Sequence, residues 1–230
     1  GAVNVLEYRE QGYLPDALLN YLVRLGWSHG DQEMFSRDEM VTLFDLADVN
    51  PSASRFDEEK LRWLNQQYIQ GGNPSDLAPL LAHYLVSEGL DPTAGPDLAE
   101  VVAAYRERAV TLRELAESCW YLFRDFDAPD AAAAKKHLRP VVQAPMQDFR
   151  ARCAQLGEWR RDVLHDAIQQ SADAHGLGFG KLGQPLRVAL TGGPVSPPID
   201  VTAELVGRDR GLRRLDSALD LIARRAAASA

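Results

Sequence analysis

The sequence predicts an all-α chain with at most one short strand pair. Apolar residues recur at helical spacing, capping residues stand just before those runs, and no long alternating stretch argues for a sheet. Leu14-Pro15-Asp16 opens the first clear helix, with proline in a first turn where its missing N–H costs nothing. Leu18, Leu22 and Leu25 mark its buried face, Leu19 and Val23 widen it, and Gly26 stops it. Ser36-Arg37-Asp38-Glu39 is a capping box leading into Met40, Leu43, Phe44 and Ala47. Asp57 caps a helix carrying Leu61, Leu64 and Tyr68, and Gly71-Gly72-Asn73-Pro74 breaks the chain at an expected domain boundary.

Short helices follow. Ser75 is expected to cap one that ends near Gly89, and Gly95-Pro96 to start another reaching about Ala109. Thr111-Leu112-Arg113-Glu114 reads as a second capping box before Trp120 and Phe123. A helix from Asp127 and Pro129 should end before Pro140, since the residue preceding proline avoids the α region. Further helices are expected near 145–155, 159–175 (closed by Gly176), 182–190, 200–206 and 209–226, with a proline-rich loop over 191–198. The short strands, if paired, are Ala2–Leu6 and Glu33–Phe35.

Hydrophobic residues at 46% and charged residues at 25% describe an ordinary globular protein. No apolar run nears the roughly 18 to 20 residues of a membrane span, and the first five residues lack a signal peptide's basic start. Two cysteines without metal-ligand spacing, Cys119 and Cys153, favour buried thiols over a disulfide and a reducing, cytoplasmic setting. The net charge of −8 hides an asymmetry. Residues 131–230 hold 15 Lys+Arg against 10 Asp+Glu, while residues 1–130 hold 10 against 23. Such a split suits a part made for an anionic partner beside an acidic part that is not.

Chemistry-bearing motifs are scarce. The five histidines are scattered, so a metal site is not expected, and neither a nucleophile elbow nor a cysteine-nucleophile motif occurs. Gly178-Phe-Gly180-Lys181 lacks the spacing of a phosphate loop and reads as a turn joining helices. Trp27, Trp63 and Trp120 read as core, and Trp159, beside Arg160 and Arg161, as a core residue at a helix start rather than a base-stacking one. Arg213-Arg214 and Arg224-Arg225 read as a solvated face, with phosphate contact open because of the local positive balance.

Longer stretches are more specific. Glu7-Tyr-Arg-Glu-Gln-Gly-Tyr-Leu-Pro-Asp-Ala-Leu-Leu-Asn-Tyr-Leu-Val-Arg-Leu-Gly-Trp-Ser-His-Gly30 resembles the segment after the KMSKS-type signature of bacterial glutamyl-tRNA synthetases. Lys60-Leu-Arg-Trp-Leu-Asn65 with Tyr68-Ile69, Ala134-Lys-Lys-His-Leu-Arg-Pro140 and Gly183-Gln-Pro-Leu-Arg-Val-Ala-Leu-Thr-Gly192 resemble the same family in the same order. The resemblance implies the carboxyl-terminal part of such an enzyme: a helical stem-contact region over 1–72, then two helical anticodon-binding domains over 73–130 and 131–230. It implies a parent glutamate–tRNA ligase that uses ATP with Mg. This chain would begin just after the lysine loop, hold no cofactor and be inactive alone. The implied partner is tRNA(Glu), with no DNA or membrane partner, and the implied state is a monomer.

The resemblance also assigns residues. Arg108, in Tyr105-Arg-Glu-Arg108, matches the arginine that reads the third anticodon base in discriminating members. Arginine only donates hydrogen bonds, and cytosine's Watson–Crick edge offers O2 and N3 as acceptors where guanine offers mainly donors. It therefore favours the glutamate anticodon, ending in C, over the glutamine one, ending in G. Arg187 resembles a second anticodon-contacting arginine, and Ser196, Pro197 and Ile199 fall where the family's loop packs against the central base. A non-discriminating or tRNA(Gln)-directed paralogue and a helical protein-interaction module are the rival readings.

Overall fold

A computed structural model describes residues 4–50 and 55–228, with thirteen α-helices and no strand among them. In chain order the helices are α1 Val5–Glu10, α2 Pro15–Arg24, α3 Arg37–Leu43, α4 Glu58–Gly71, α5 Pro74–Ser87, α6 Leu98–Tyr105 and α7 Leu112–Cys119. They continue with α8 Ala131–His137, α9 Gln143–Gln155, α10 Arg161–Ala174, α11 Phe179–Thr191, α12 Ile199–Val206 and α13 Arg208–Ala228. The chain gathers into two compact units. One comprises residues up to Gly89 together with Val102–Glu117, and the other comprises Leu90–Val101 together with residues from Ser118 onward. The turn at Gly71-Gly72-Asn73-Pro74 joins α4 and α5 inside the first unit.

In the first unit α2 packs on α4, and Tyr13, Leu18, Tyr21, Leu61 and Leu64 form one apolar cluster. Trp27, Phe35 and Met40 form a second. The buried face of α2 differs from the leucine stripe expected. Ala17, Leu18 and Tyr21 turn inward while Leu19 and Leu22 stay exposed, because Leu18 and Tyr21 pack with Leu61 and Leu64 of α4. Asp57 caps α4 and the Ser36–Glu39 capping box forms in both directions, as read from sequence. Asn73, rather than Ser75, caps α5, with Pro74 at its first position. Trp63 is 43% exposed on α4 and not a core residue.

The strand pair that the sequence allowed does not form among the described residues. Val5 and Leu6 belong to α1, and Ala2 and Val3 lie outside the described residues. Glu33–Phe35 runs without a partner strand because a buried side chain takes the place of a ladder. Asn20 Nδ2 donates to the Glu33 carbonyl at 2.9 Å, and Asn20 Oδ1 accepts from the Phe35 N–H at 2.7 Å. The Tyr68 hydroxyl then donates to the Phe35 carbonyl at 2.7 Å. Every buried backbone group needs a partner, and an asparagine offers a donor and an acceptor in one amide.

A second buried asparagine organises the other end of this unit. Asn65 accepts the Leu14 N–H at 2.8 Å and donates to the Val110 carbonyl at 2.6 Å. Gly12 is required beside it. Its φ is +89°, and a Cβ there would stand 2.4 Å from the Arg113 nitrogen, where the Leu112 N–H donates to the Gly12 carbonyl.

In the second unit α10 packs on α9, α11 and α12, and α13 packs on α9, α11 and α12. Phe149, Leu164, Ile168, Leu182, Leu186, Leu190, Leu215 and Ile222 are buried. A bidentate pair from Arg150 to Asp216, at 2.7 and 2.8 Å, ties α9 to α13. Neither cysteine is in a disulfide and both are buried, as expected, and burial pushes both thiols up to about 12. Helix α11 begins at Phe179, three residues earlier than read, and ends where Gly192 adopts a left-handed φ of +78°.

Candidate nucleic-acid interface

A cleft of about 380 Å³ opens between α10, α11 and the start of α12, lined in part by Arg161, His165, Phe179, Gln184, Arg187 and Ile199. Its back edge is the loop after α11, which the sequence of that loop holds in place. Three prolines restrict it, and side chains clamp its backbone. The Thr191 hydroxyl accepts the Gly193 N–H, and Gln184 Nε2 donates to the Pro194 carbonyl at 2.9 Å. The fully buried Thr202 of α12 donates from its hydroxyl to Ser196 Oγ at 2.9 Å and stands 3.1 Å from the Pro197 carbonyl.

Arg187 rests on this frame. Its Nε donates to Ser196 Oγ at 2.8 Å, one terminal nitrogen donates to Gln184 Oε1, and the other reaches the Pro197 carbonyl at 3.5 Å. A long side chain is thus held in one conformation at the wall of a cleft, which removes most of the entropy a contact there would otherwise cost. Ile199 lines the cleft as an apolar wall and is itself buried. Ser196 and Pro197 are buried behind Arg187 and act on the cleft by orienting it.

Across the cleft, α10 starts against α12. The Arg161 N–H donates to Glu204 Oε1 at 2.9 Å, so an acid from another helix takes the role of a cap that Arg160 cannot fill. Arg161 Nε donates to Asp200 Oδ2 at 3.1 Å, and His165 Nδ1 stands 3.4 Å from the same oxygen. Burial pushes the Asp200 carboxyl up, but the Arg161 hydrogen bond, the Val201 N–H and the Arg161 charge together outweigh it and hold the group below its usual range.

These helices fall within a stretch that decides the family. Residues 76–219 match the model described as the anticodon binding domain. The chain belongs to this family. Residues 2–63 match the model of the class I (E and Q) tRNA synthetase catalytic domain. The chain is 52% identical over 227 residues to glutamate–tRNA ligase 1 of Alkalilimnicola ehrlichii, covering 99% of this chain and 48% of that protein. It is 54% identical to glutamate–tRNA ligase 1 of Nitrosococcus oceani, covering 95% of this chain and 47% of that one. A glutamate tRNA ligase structure from Elizabethkingia meningosepticum superposes with a TM-score of 0.83 at 30% identity, covering 94% of this chain and 43% of that one. The chain therefore spans about half the length of the curated relatives it matches. The resemblance to glutamyl-tRNA synthetases read from the motifs is the relationship these comparisons return.

Within the family's domain, the residues singled out from sequence separate. Arg187 and Ile199 line one cleft, with Ser196 and Pro197 supporting Arg187. Arg108 lies in the first compact unit, exposed in the turn after α6. That turn is clamped from α4, where Gln70 donates to the Glu107 carbonyl at 3.3 Å and Asn65 to the Val110 carbonyl at 2.6 Å.

The paired arginines of α13 do not share one environment. Arg213 is exposed, but Arg214 is only 6% exposed and is no part of a solvated face. Arg214 donates to the carbonyls of Leu190, Tyr121 and Arg124 and to Asp125 Oδ1, with its guanidinium 4.6 Å from the Phe126 ring centroid. Burial brings its pKa down to about 10, which leaves it charged at neutral pH. Trp159, read as core, is only partly buried; it donates from Nε1 to the Ala203 carbonyl at 2.9 Å and packs against Gly211. Asp200, His165 and Phe179 were missed in sequence. The glycines at 180 and 183 were the available signal, since they border the cleft these residues line.

Proposed function

We propose that this chain is the tRNA-reading part of a glutamate–tRNA ligase and binds the anticodon arm of tRNA(Glu). The observation that carries the reading is Arg187, fixed by Ser196 and Gln184 at the wall of an open cleft, inside the stretch that matches the anticodon binding domain. Unpaired loop bases are the form of RNA that proteins read best, through edge hydrogen bonds and stacking. In this reading residues 1–72 contact the stem, residues 73–130 and 131–230 take the anticodon, and Arg108 selects C at its last position. Phosphate contacts from the positive carboxyl-terminal part supply affinity that falls with salt. Glutamate activation with ATP and Mg belongs to the longer protein, and the 230-residue chain alone forms no glutamyl-adenylate.

Binding of anticodon-arm hairpins ending in C or G, measured over a salt series, tests the proposal. The chain should prefer the hairpin ending in C, and Arg108→Gln should cost about 1–3 kcal/mol of that preference, the scale of an arginine reading a base edge. A chain that binds neither hairpin, or binds both equally before substitution, would refute the reading.

A further inference from the structure

The cleft beside Arg187 continues past the residues that the proposal uses. On its far wall the rings of His165, on α10, and Phe179, at the start of α11, lie stacked with centroids 4.7 Å apart and planes 27° from parallel. The His165 side chain is 50% exposed and Phe179 is partly buried, so the imidazole is the outer leaf of the pair. Asp200 Oδ2, 3.4 Å from His165 Nδ1, orients that ring.

The glycines between these rings and Arg187 serve the same space. Gly180 and Gly183 line the cleft and neither has a positive φ, so the backbone does not demand glycine at either position. A Cβ at Gly180 would meet nothing within 4 Å, and one at Gly183 would make only ordinary contacts with Ile199 and Phe179. Their small size keeps the volume open. At about 380 Å³ the cleft sits at the small end of the roughly 300–1,000 Å³ typical of ligand pockets.

We infer that the His165–Phe179 pair is a stacking platform for one unpaired anticodon-loop base, an inference that rests on the RNA-reading proposal above. The platform supplies an aromatic face, which any base can use. Arg161 and Arg187 supply donors at the two sides of the cleft for base edges or phosphate oxygens. A wall with this composition suits a planar, electron-rich ring attached to an anionic backbone better than it suits an aliphatic side chain of a protein partner.

The test uses the 230-residue chain and the glutamate anticodon hairpin carrying a fluorescent base analogue at each anticodon position in turn. Binding should quench the analogue at one position. His165→Ala combined with Phe179→Leu should abolish that quench and weaken binding by about tenfold, within the range for loss of one base–aromatic stack. His165→Phe should retain the quench, because it keeps a ring. Gly180→Leu should fill the cleft and remove both signals at an unchanged thermal midpoint. If the unsubstituted chain binds the hairpin in an anticodon-dependent way and the double substitution leaves affinity and quench intact, the platform is refuted and the RNA reading stands. If the unsubstituted chain does not bind the hairpin, the RNA reading itself has failed.

Discussion

Arg187 and Arg214 stand on two packed helices of the same unit, and both direct their guanidinium groups at backbone carbonyls. Arg214 lies under the protein surface, where it joins the carbonyls of Leu190, Tyr121 and Arg124 to Asp125 and to the face of Phe126. Arg187 instead leans on a hydroxyl, an amide and one distant carbonyl, and remains at the wall of a cleft. The same side chain thus serves as an internal crosslink in one place and as a preorganised donor in the other. Burial and the kind of protein partner separate the two roles, which residue type alone cannot do.

The largest effect that should expose the difference is on stability. Arg214→Ala leaves buried carbonyls without a donor and should destabilise the fold by about 3 kcal/mol. In thermal unfolding the midpoint should fall by roughly 6–12 °C for a chain of this size. The RNA affinity of the folded fraction should stay unchanged. A stable Arg214→Ala protein that has lost RNA binding would erase the distinction.

Arg187→Ala should do the reverse. It should cost about 1 kcal/mol of stability, because Thr202 still donates to Ser196 Oγ and Ser196 Oγ to the Pro197 carbonyl. Affinity for the anticodon hairpin should fall by about tenfold or more. Titration and melting of the same sample separate the two readouts, and an equal loss of stability in both arginine variants would contradict the assignment. Thr202→Val reaches Arg187 indirectly. It removes a buried hydroxyl and should cost about 1–2 kcal/mol, with an affinity loss smaller than that of Arg187→Ala. An affinity loss equal to that of Arg187→Ala would mean that the loop, not the guanidinium, touches RNA.

Much of this was legible in the sequence, for reasons that are local. Proline at the start of α2, the Ser36–Glu39 box and the Asp57 cap act within one helical turn, so residue type and spacing are enough to place them. Whether Glu33–Phe35 pairs as a strand is decided by Asn20 and Tyr68, one of them more than thirty residues away, and no local pattern carries that information. Arg213 and Arg214 are adjacent in sequence, yet one helical step turns the second beneath Phe126. Around the cleft, Arg187 and Ile199 on its wall and Ser196 and Pro197 behind it were singled out through family motifs, whereas His165, Phe179 and Asp200 meet only when α10, α11 and α12 pack.

The smallest expected effect concerns the carboxylate between the two walls of the cleft. The folded Asp200 carboxyl is held below its usual range, chiefly by Arg161 against the opposing push of burial. A carboxyl with a lowered folded pKa stabilises the protein above its unfolded value, about 3.9, and that contribution is lost as pH falls through the lower folded value. Asp200→Asn cannot take up this proton. The wild-type and variant stabilities, followed by denaturant unfolding, should therefore differ most from about pH 5 upward and converge as pH drops below about 4. Because Arg161 is largely exposed, the plateau difference should stay near or below about 1 kcal/mol. A gap that stays constant from neutral pH into acid would show that the substitution acts through packing, and that Asp200 does not hold Arg161 and His165 in place by its charge.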